Sequence, residues 1–393
     1  MNDVHESPYL SIVTSSRNDD HGGNMFKRTQ TTLSSVIGQL EKYKLKSEVI
    51  LTDYNPPSHK PLLKDVLCWP EETKYCTIRY LVVPSSIHTR FKDSDKTPYN
   101  FSVAQNAGLK RARGKFVLMT SIDILFSDEL IEFVAKEILE ADKIYRTDRQ
   151  DVNRNILEVS SADLLEFCRK NVIWIHTRNI SIPVVRKKKQ HLRSRNLDIN
   201  AGNRDFPNLH LNGADLLLMS RESWHSLRGF PERDNLGLGV EILLCNMAYL
   251  KGIKEEMLPD ECCIYHIDHD SRWRSTIPGL CDKILFYCFS DKLASCLMFF
   301  IGALKLGELK SKLTPKTLKE KNKDKKPEIS SGCYKEYWEA IDEMKDGKRQ
   351  IVYNGNDWGL GAEELEQYVI RRAEWDAYAK EIRDCSDTAW LDV

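Results

Sequence analysis

Short apolar runs recur along the chain with amphipathic stretches between them. Tyr9–Thr14 (YLSIVT), Glu48–Thr52 (EVILT), Ile78–Val83 (IRYLVV) and Phe116–Met119 (FVLM) are too short for helices and are dense in aliphatic residues. Such runs suit strands buried on both faces of a parallel sheet. Met25–Tyr43 places Leu33, Val36, Ile37 and Leu40 on one stripe, which predicts a helix. A second helix leads up to Gly114, with Ala104, Ala107 and Ala112 small and Lys110, Arg111 and Arg113 solvated; the glycine is expected to end it. These are β-α-β units, so the fold class is α/β with a mixed, mainly parallel sheet flanked by helices.

The same reading continues downstream. Glu129–Glu140 is a helix behind the capping residues Ser127 and Asp128, Asp215–Met219 a strand, and Ser220–Leu227 a short helix capped by Ser220. A helix follows Gly237-Leu238-Gly239 with Glu241 in its first turn, where the dipole favours an acid. A short apolar strand at Cys262 leads into His266, Asp268, His269 and Asp270. Lys310–Glu328 is lysine-rich and reads as a linker, with helices expected at Tyr334–Met344 and Ala362–Ile382 that pack back on the rest.

Hydrophobic residues make up 41% of the 393 and charged residues 30%, enough for a substantial core. A net charge of zero argues against a chain-wide electrostatic partner such as duplex DNA, though not against a local basic patch. The eleven cysteines are scattered without a Cys-x-x-Cys pair, against a zinc ribbon or a regular disulfide framework. Met1–Pro8 is polar, and the apolar segment Ile284–Leu306 is broken by Asp291 and Lys292. The expectation is a reduced, cytoplasmic protein. Ser181–Asn203 reads first as a solvated basic loop, with closure over an anionic donor or peripheral contact with anionic lipid as the alternatives. Oligomeric state is left open.

The polar groups gather where α/β sheets bind ligands, at the carboxyl ends of strands. Thr120, Ser121 and Asp123 follow the fourth apolar run, Asp53 follows the second, and SSRNDDHGGN (15–24) follows the first. That loop is either a solvated connection or a ligand loop; without a Lys-Ser/Thr ending it is no phosphate loop by itself. Tyr145–Val152 alternates charges and reads as a salt-bridged surface turn, with Arg149 as a candidate diphosphate contact. His266 and His269 are a loop pair or, with Asp123, a site for Mn²⁺ or Mg²⁺.

The helix, glycine, buried strand and Ser-Ile-Asp at 121–123 resemble the centre of nucleotide-sugar glycosyltransferases of the GT-A class. Asn106, Gly108 and Ala112-Arg113-Gly114 match the approach to the Asp-x-Asp motif; Asp123 matches its last aspartate and Ser121 stands at the first. Leu209–Leu250 is similar to the acceptor half of galactosyltransferase-like members, through Gly213, Arg221, Glu222, Gly229, Phe230, Glu232, Gly237, Gly239 and Glu241, with Ile242 at the usual catalytic aspartate. The resemblance implies a GT-A domain over 1–280, with a nucleotide-sugar half at about 1–150 and an acceptor half at about 205–275. A helical C-terminal region then spans 281–393. It implies a nucleotide-diphosphate sugar donor near Thr14, Ser15, Arg17, Asn18, Asp53, Asn106, Arg113 and Ser121, and a divalent metal at Asp123, His266 and His269. A glycan or other hydroxyl acceptor would be deprotonated by Glu241, held ionised by its helix start, or by Asp215. The alternatives are a nucleotidyltransferase, which the lysine-free first loop disfavours, and a non-catalytic sugar-binding or scaffold protein, which Ser121 and Ile242 favour.

Overall fold

The computed structural model describes residues 7–70, 72–92, 94–178, 181–184, 209–210, 215–232, 240–269 and 329–370. In chain order its elements begin β1 (Leu10–Ser16), α1 (Met25–Lys42), β2 (Ser47–Tyr54), α2 (Leu63–Val66), β3 (Cys76–Val83), α3 (Ser85–His88), α4 (Phe101–Arg111), β4 (Phe116–Thr120) and β5 (Ile124–Phe126). They continue with α5 (Asp128–Ala135), β6 (Lys143–Arg146), β7 (Arg149–Val152), α6 (Leu164–Lys170), β8 (Val172–His176), β9 (Ser181–Pro183), β10 (Leu216–Ser220) and α7 (Arg221–Leu227). The last are α8 (Val240–Leu250), β11 (Lys254–Met257), β12 (Ile264–Ile267), α9 (Ile329–Lys345) and β13 (Glu366–Ile370).

The main sheet has the order β11-β6-β10-β4-β1-β2-β3-β13. Strands β4, β1, β2 and β3 run parallel, and β10 and β13 enter antiparallel on either side. Every residue of β1 and β2 is buried, as expected of central strands covered on both faces. On one face α1 presents Leu33, Val36, Ile37 and Leu40 to the core. On the other, α4 lies close because its contact residues are small: a Cβ on Gly108 would stand 2.6 Å from Val13 Cγ1. A second sheet, β5-β12-β7-β8-β9, sits beyond the carboxyl end of β4.

Three expectations are corrected. Helix α4 ends at Arg111, and Gly114 serves a close approach instead: a Cβ there would fall 2.5 Å from the Ser11 backbone nitrogen. Tyr145–Val152 is no surface turn but the meeting of β6 and β7, one strand in each sheet, with Arg146 fully buried. The helix expected over Ala362–Ile382 begins instead as β13, which pairs Glu366–Ile370 with Val82–Ile78 of β3; its β-branched and aromatic Tyr368, Val369 and Ile370 cover an otherwise open edge. Helix α9 matches expectation, and Tyr337, Ile341 and Met344 share a core with Leu243, Leu244 and Met247 of α8. The expectations for Ile284–Leu306, the Lys310–Glu328 linker, most of the basic loop 181–203, and Gly213, Gly237 and Gly239 lie outside the described residues. No helix among the described residues is long and apolar enough to cross a membrane.

Candidate functional site

The carboxyl end of β4 supplies Ser121 and Asp123 before the chain turns into β5. Strand β12 pairs antiparallel with β5, in register His266 against Ile124, and so carries His266 and then His269 back over Asp123. Asp123, His266 and His269 each offer one ligand atom within 4.8 Å of the others. His269 Nε2 lies 3.1 Å, and His266 Nε2 3.8 Å, from Asp123 Oδ2.

The tautomer of His266 follows from its other nitrogen. Nδ1 stands 3.2 Å from Asp151 Oδ1, and an ionised carboxylate only accepts, so Nδ1 carries a proton and Nε2 is the ring nitrogen turned toward Asp123. Nε2 of His266 and Asp123 Oδ2 face each other beyond hydrogen-bond range, and the Nδ1 of His269 is buried without a partner. One carboxylate oxygen and two imidazole nitrogens are a donor set suited to a divalent metal of the Mn²⁺ type. The residues fit such an ion.

The surrounding charges form a chain. Arg149 joins two acids, with Nη1 2.5 Å from Asp215 Oδ2 and Nε 2.9 Å from Asp151 Oδ1. Asp151 also meets His176 Nε2 at 3.2 Å. Ser121 Oγ donates to Asp215 Oδ1 at 2.9 Å. Burial alone would raise all three carboxyls, but their cationic and imidazole neighbours outweigh it: His266, His269 and Arg28 at Asp123, His176, His266 and Arg149 at Asp151, and Arg149 and His266 at Asp215. Each stays below the usual carboxylate range and ionised. This is the common face of the second sheet, on which Asp151 stands in register with His266 and Trp174.

Glu241 behaves in the opposite way, and the expectation that its helix start lowers its pKa is corrected. Burial, followed by the charge of Asp215, pushes the carboxyl up to about 7 despite Arg146. Desolvation outweighs the dipole because the dipole acts only through partial charges.

The other expected donor contacts divide. Thr14 and Ser15 lie at the carboxyl end of β1; Thr14 Oγ1 is buried without a partner and Ser15 Oγ is 2.6 Å from Tyr99 Oη. Arg17 and Asn18 tie the following loop to the segment after β2, through Arg17 Nε to the Asn55 carbonyl (2.7 Å) and Asn18 Nδ2 to the Pro61 carbonyl (2.8 Å). Three expected residues are not in the cluster. Asp53 is wholly buried: its Oδ2 accepts from Tyr80 Oη and from the Leu63 amide, and its Oδ1 has no partner, so the carboxyl rises to about 6, chiefly by burial. Asn106 is a clamp. Its side chain bonds both the amide and the carbonyl of Phe230 (2.8 Å each) and Glu232 Oε1 (2.9 Å). Arg113 stands at the opposite edge of the sheet, where its amide meets Glu48 Oε1 near the start of β2.

Arg28 carries no motif in the sequence, and its position on the buried stripe of α1 is the one signal that points to it. Asp151 is legible only through the period-two spacing with Arg149, which places both on one face of a strand.

No protein-family model matches the chain, and no curated protein matches it. Among solved structures it is similar to a mannosyltransferase of Pyrobaculum calidifontis in complex with GDP-mannose and Mn²⁺, at 14% identity and TM-score 0.33 over 69% of this chain and 61% of that one. It is also similar to TarS of S. aureus, at 14% identity and TM-score 0.37 over 72% of this chain and 41% of that one. The chain thus spans less than two thirds of either. At these TM-scores the likeness decides nothing about this chain's chemistry.

Proposed function

We propose that the chain is a glycosyltransferase of the GT-A type that moves a sugar from a nucleotide-diphosphate sugar to a hydroxyl of a glycan or other acceptor. The observation that carries the reading is the convergence of Asp123, His266 and His269 at the carboxyl edge of a central strand. Asp123, the residue that matches the last aspartate of the GT-A motif, is the carboxylate of this cluster.

Asp123, His266 and His269 would hold a divalent cation, which supplies positive charge against a leaving diphosphate. Ser15, bonded to Tyr99, ends the first strand on the same carboxyl edge, and Arg17 and Asn18 follow it. Asp151 orients His266 through Nδ1, and Arg149 holds Asp215 ionised but engaged, which leaves Asp215 a poor base. Glu241, with its carboxyl near 7, is better matched to receive the acceptor proton at neutral pH. The test is donor hydrolysis and transfer with a panel of nucleotide sugars, with Mn²⁺ and with chelator. Turnover that disappears in Asp123→Asn is expected. Tight nucleotide-sugar binding without any turnover would select the second reading, a non-catalytic sugar-binding protein, which Ser121 and the pairing of Asp123 with Arg28 favour.

A further inference from the structure

Arg28 is almost entirely buried, with 1% of its side chain exposed, one turn into α1 and directly against the candidate metal cluster. Its Nη1 lies 2.6 Å from Asp123 Oδ2, the same oxygen that both imidazoles face. Its remaining donors go to backbone: Nε to the Gly23 carbonyl at 3.2 Å and Nη2 to the His21 carbonyl. Those carbonyls point inward because Gly22, Gly23 and Asn24 are successively left-handed, with φ of 73°, 77° and 54°. Among the described residues Asp123 is the only carboxylate paired with Arg28.

A single carboxylate faces a single guanidinium, so the charge of Asp123 is already matched before a dication arrives. We infer that Arg28 is a positioning residue that acts as an internal counter-cation: it weakens divalent-ion binding at Asp123, His266 and His269 and couples that binding to the loop after β1. The inference rests on the metal reading above. An entering cation competes for Asp123 Oδ2. As the guanidinium yields, its bonds to His21 and Gly23 carry the displacement into the loop that holds Arg17 and Asn18. Linkage is reciprocal, so a ligand that draws the loop and Arg28 away from Asp123 tightens the ion.

The experiment is Mn²⁺ titration of the full chain, read by the resonance of free Mn²⁺, in wild type, Arg28→Met, Arg28→Gln and Arg28→Lys. The neutral variants should bind Mn²⁺ roughly tenfold or more tightly than wild type, while Arg28→Lys, which keeps the charge, stays close to it. Equal or weaker binding in the folded neutral variants overturns the counter-cation role and leaves the metal site standing. Absence of Mn²⁺ binding in wild type and in every variant overturns the metal reading and this one with it. Hydrogen exchange on wild type gives a measurement that needs no variant. Mn²⁺ should change exchange at residues 21–24, and an unchanged rate while Mn²⁺ is bound overturns the coupling.

Discussion

At Glu241 two effects of opposite sign meet, and their sizes decide the chemistry. A helix start stabilises a carboxylate by about 0.3–1 kcal/mol, whereas burial shifts this one up to about 7. A base works only when deprotonated, so turnover should fall below pH 7, by about tenfold per unit, and level off above it. Glu241→Gln should keep donor affinity and lose roughly 10²–10⁴-fold in turnover. A near-normal rate in that variant, or a profile flat through pH 7, would remove the role. Asp53 shows the same physics without an assigned catalytic task. Its folded pKa, about 6, lies above its ordinary value of 3.8, so the protonated acid is the form the fold prefers. The stabilisation is fully present below about pH 4 and is lost as pH rises through 6. Relative to Asp53→Asn, wild type should lose on the order of 2–3 kcal/mol between pH 4 and 7.5. Denaturant midpoints of the two proteins at both pH values measure it, and parallel curves would contradict it.

At the scale of elements, the glycines separate propensity from packing. Gly38 sits mid-helix in α1, and a Cβ added there would meet no atom within 4 Å, so Gly38→Ala should stabilise by about 0.5–1 kcal/mol. Gly114 abuts backbone of β1, so Gly114→Ala should cost roughly 1–3 kcal/mol. Thermal melts of the pair must move in opposite directions. The same contrast explains what is legible in the sequence. The buried strands β1 to β4 and the stripe of α1 are readable because apolar periodicity reports burial directly. So is Asp123 with His266 and His269, because each stands just past an apolar run. Gly114 misleads because a close approach and a helix end use the same residue. Asp53 and Asn106 mislead because a polar residue at a strand end or on a helix serves a ligand or an internal hydrogen bond, and only the third dimension tells them apart. Residues 366–370 mislead because an edge strand takes its stability from its partner, and the partner lies far away in sequence.

At the scale of the molecule, the segment after α9 meets the turn after α7 around Asn106. A Cβ on Gly229 would collide with Asn106 Oδ1, and one on Gly359 would fall 2.5 Å from the Asn106 carbonyl. Glu232 Oε1 receives both Asn106 Nδ2 and the Gly359 amide. Asn106→Ala leaves the buried Phe230 amide unpaired and removes one of the two donors from both the Phe230 carbonyl and Glu232 Oε1, and should cost about 1–3 kcal/mol. It should also raise protease sensitivity near residues 355–361. A variant that melts with wild type would show the clamp to be redundant.

The pairing of β13 with β3 sets an order of events on the ribosome. Strand β3 is complete at residue 83, yet its cover arrives about 280 residues later. At about 5–20 residues per second, the nascent chain carries an unpaired, aliphatic strand edge for tens of seconds. Any chain cut short of residue 366 keeps that edge for life. Newly made protein is therefore the form most exposed to self-association, and a chaperone that shields β3 during synthesis should raise the yield of full-length protein more than it rescues truncated chains.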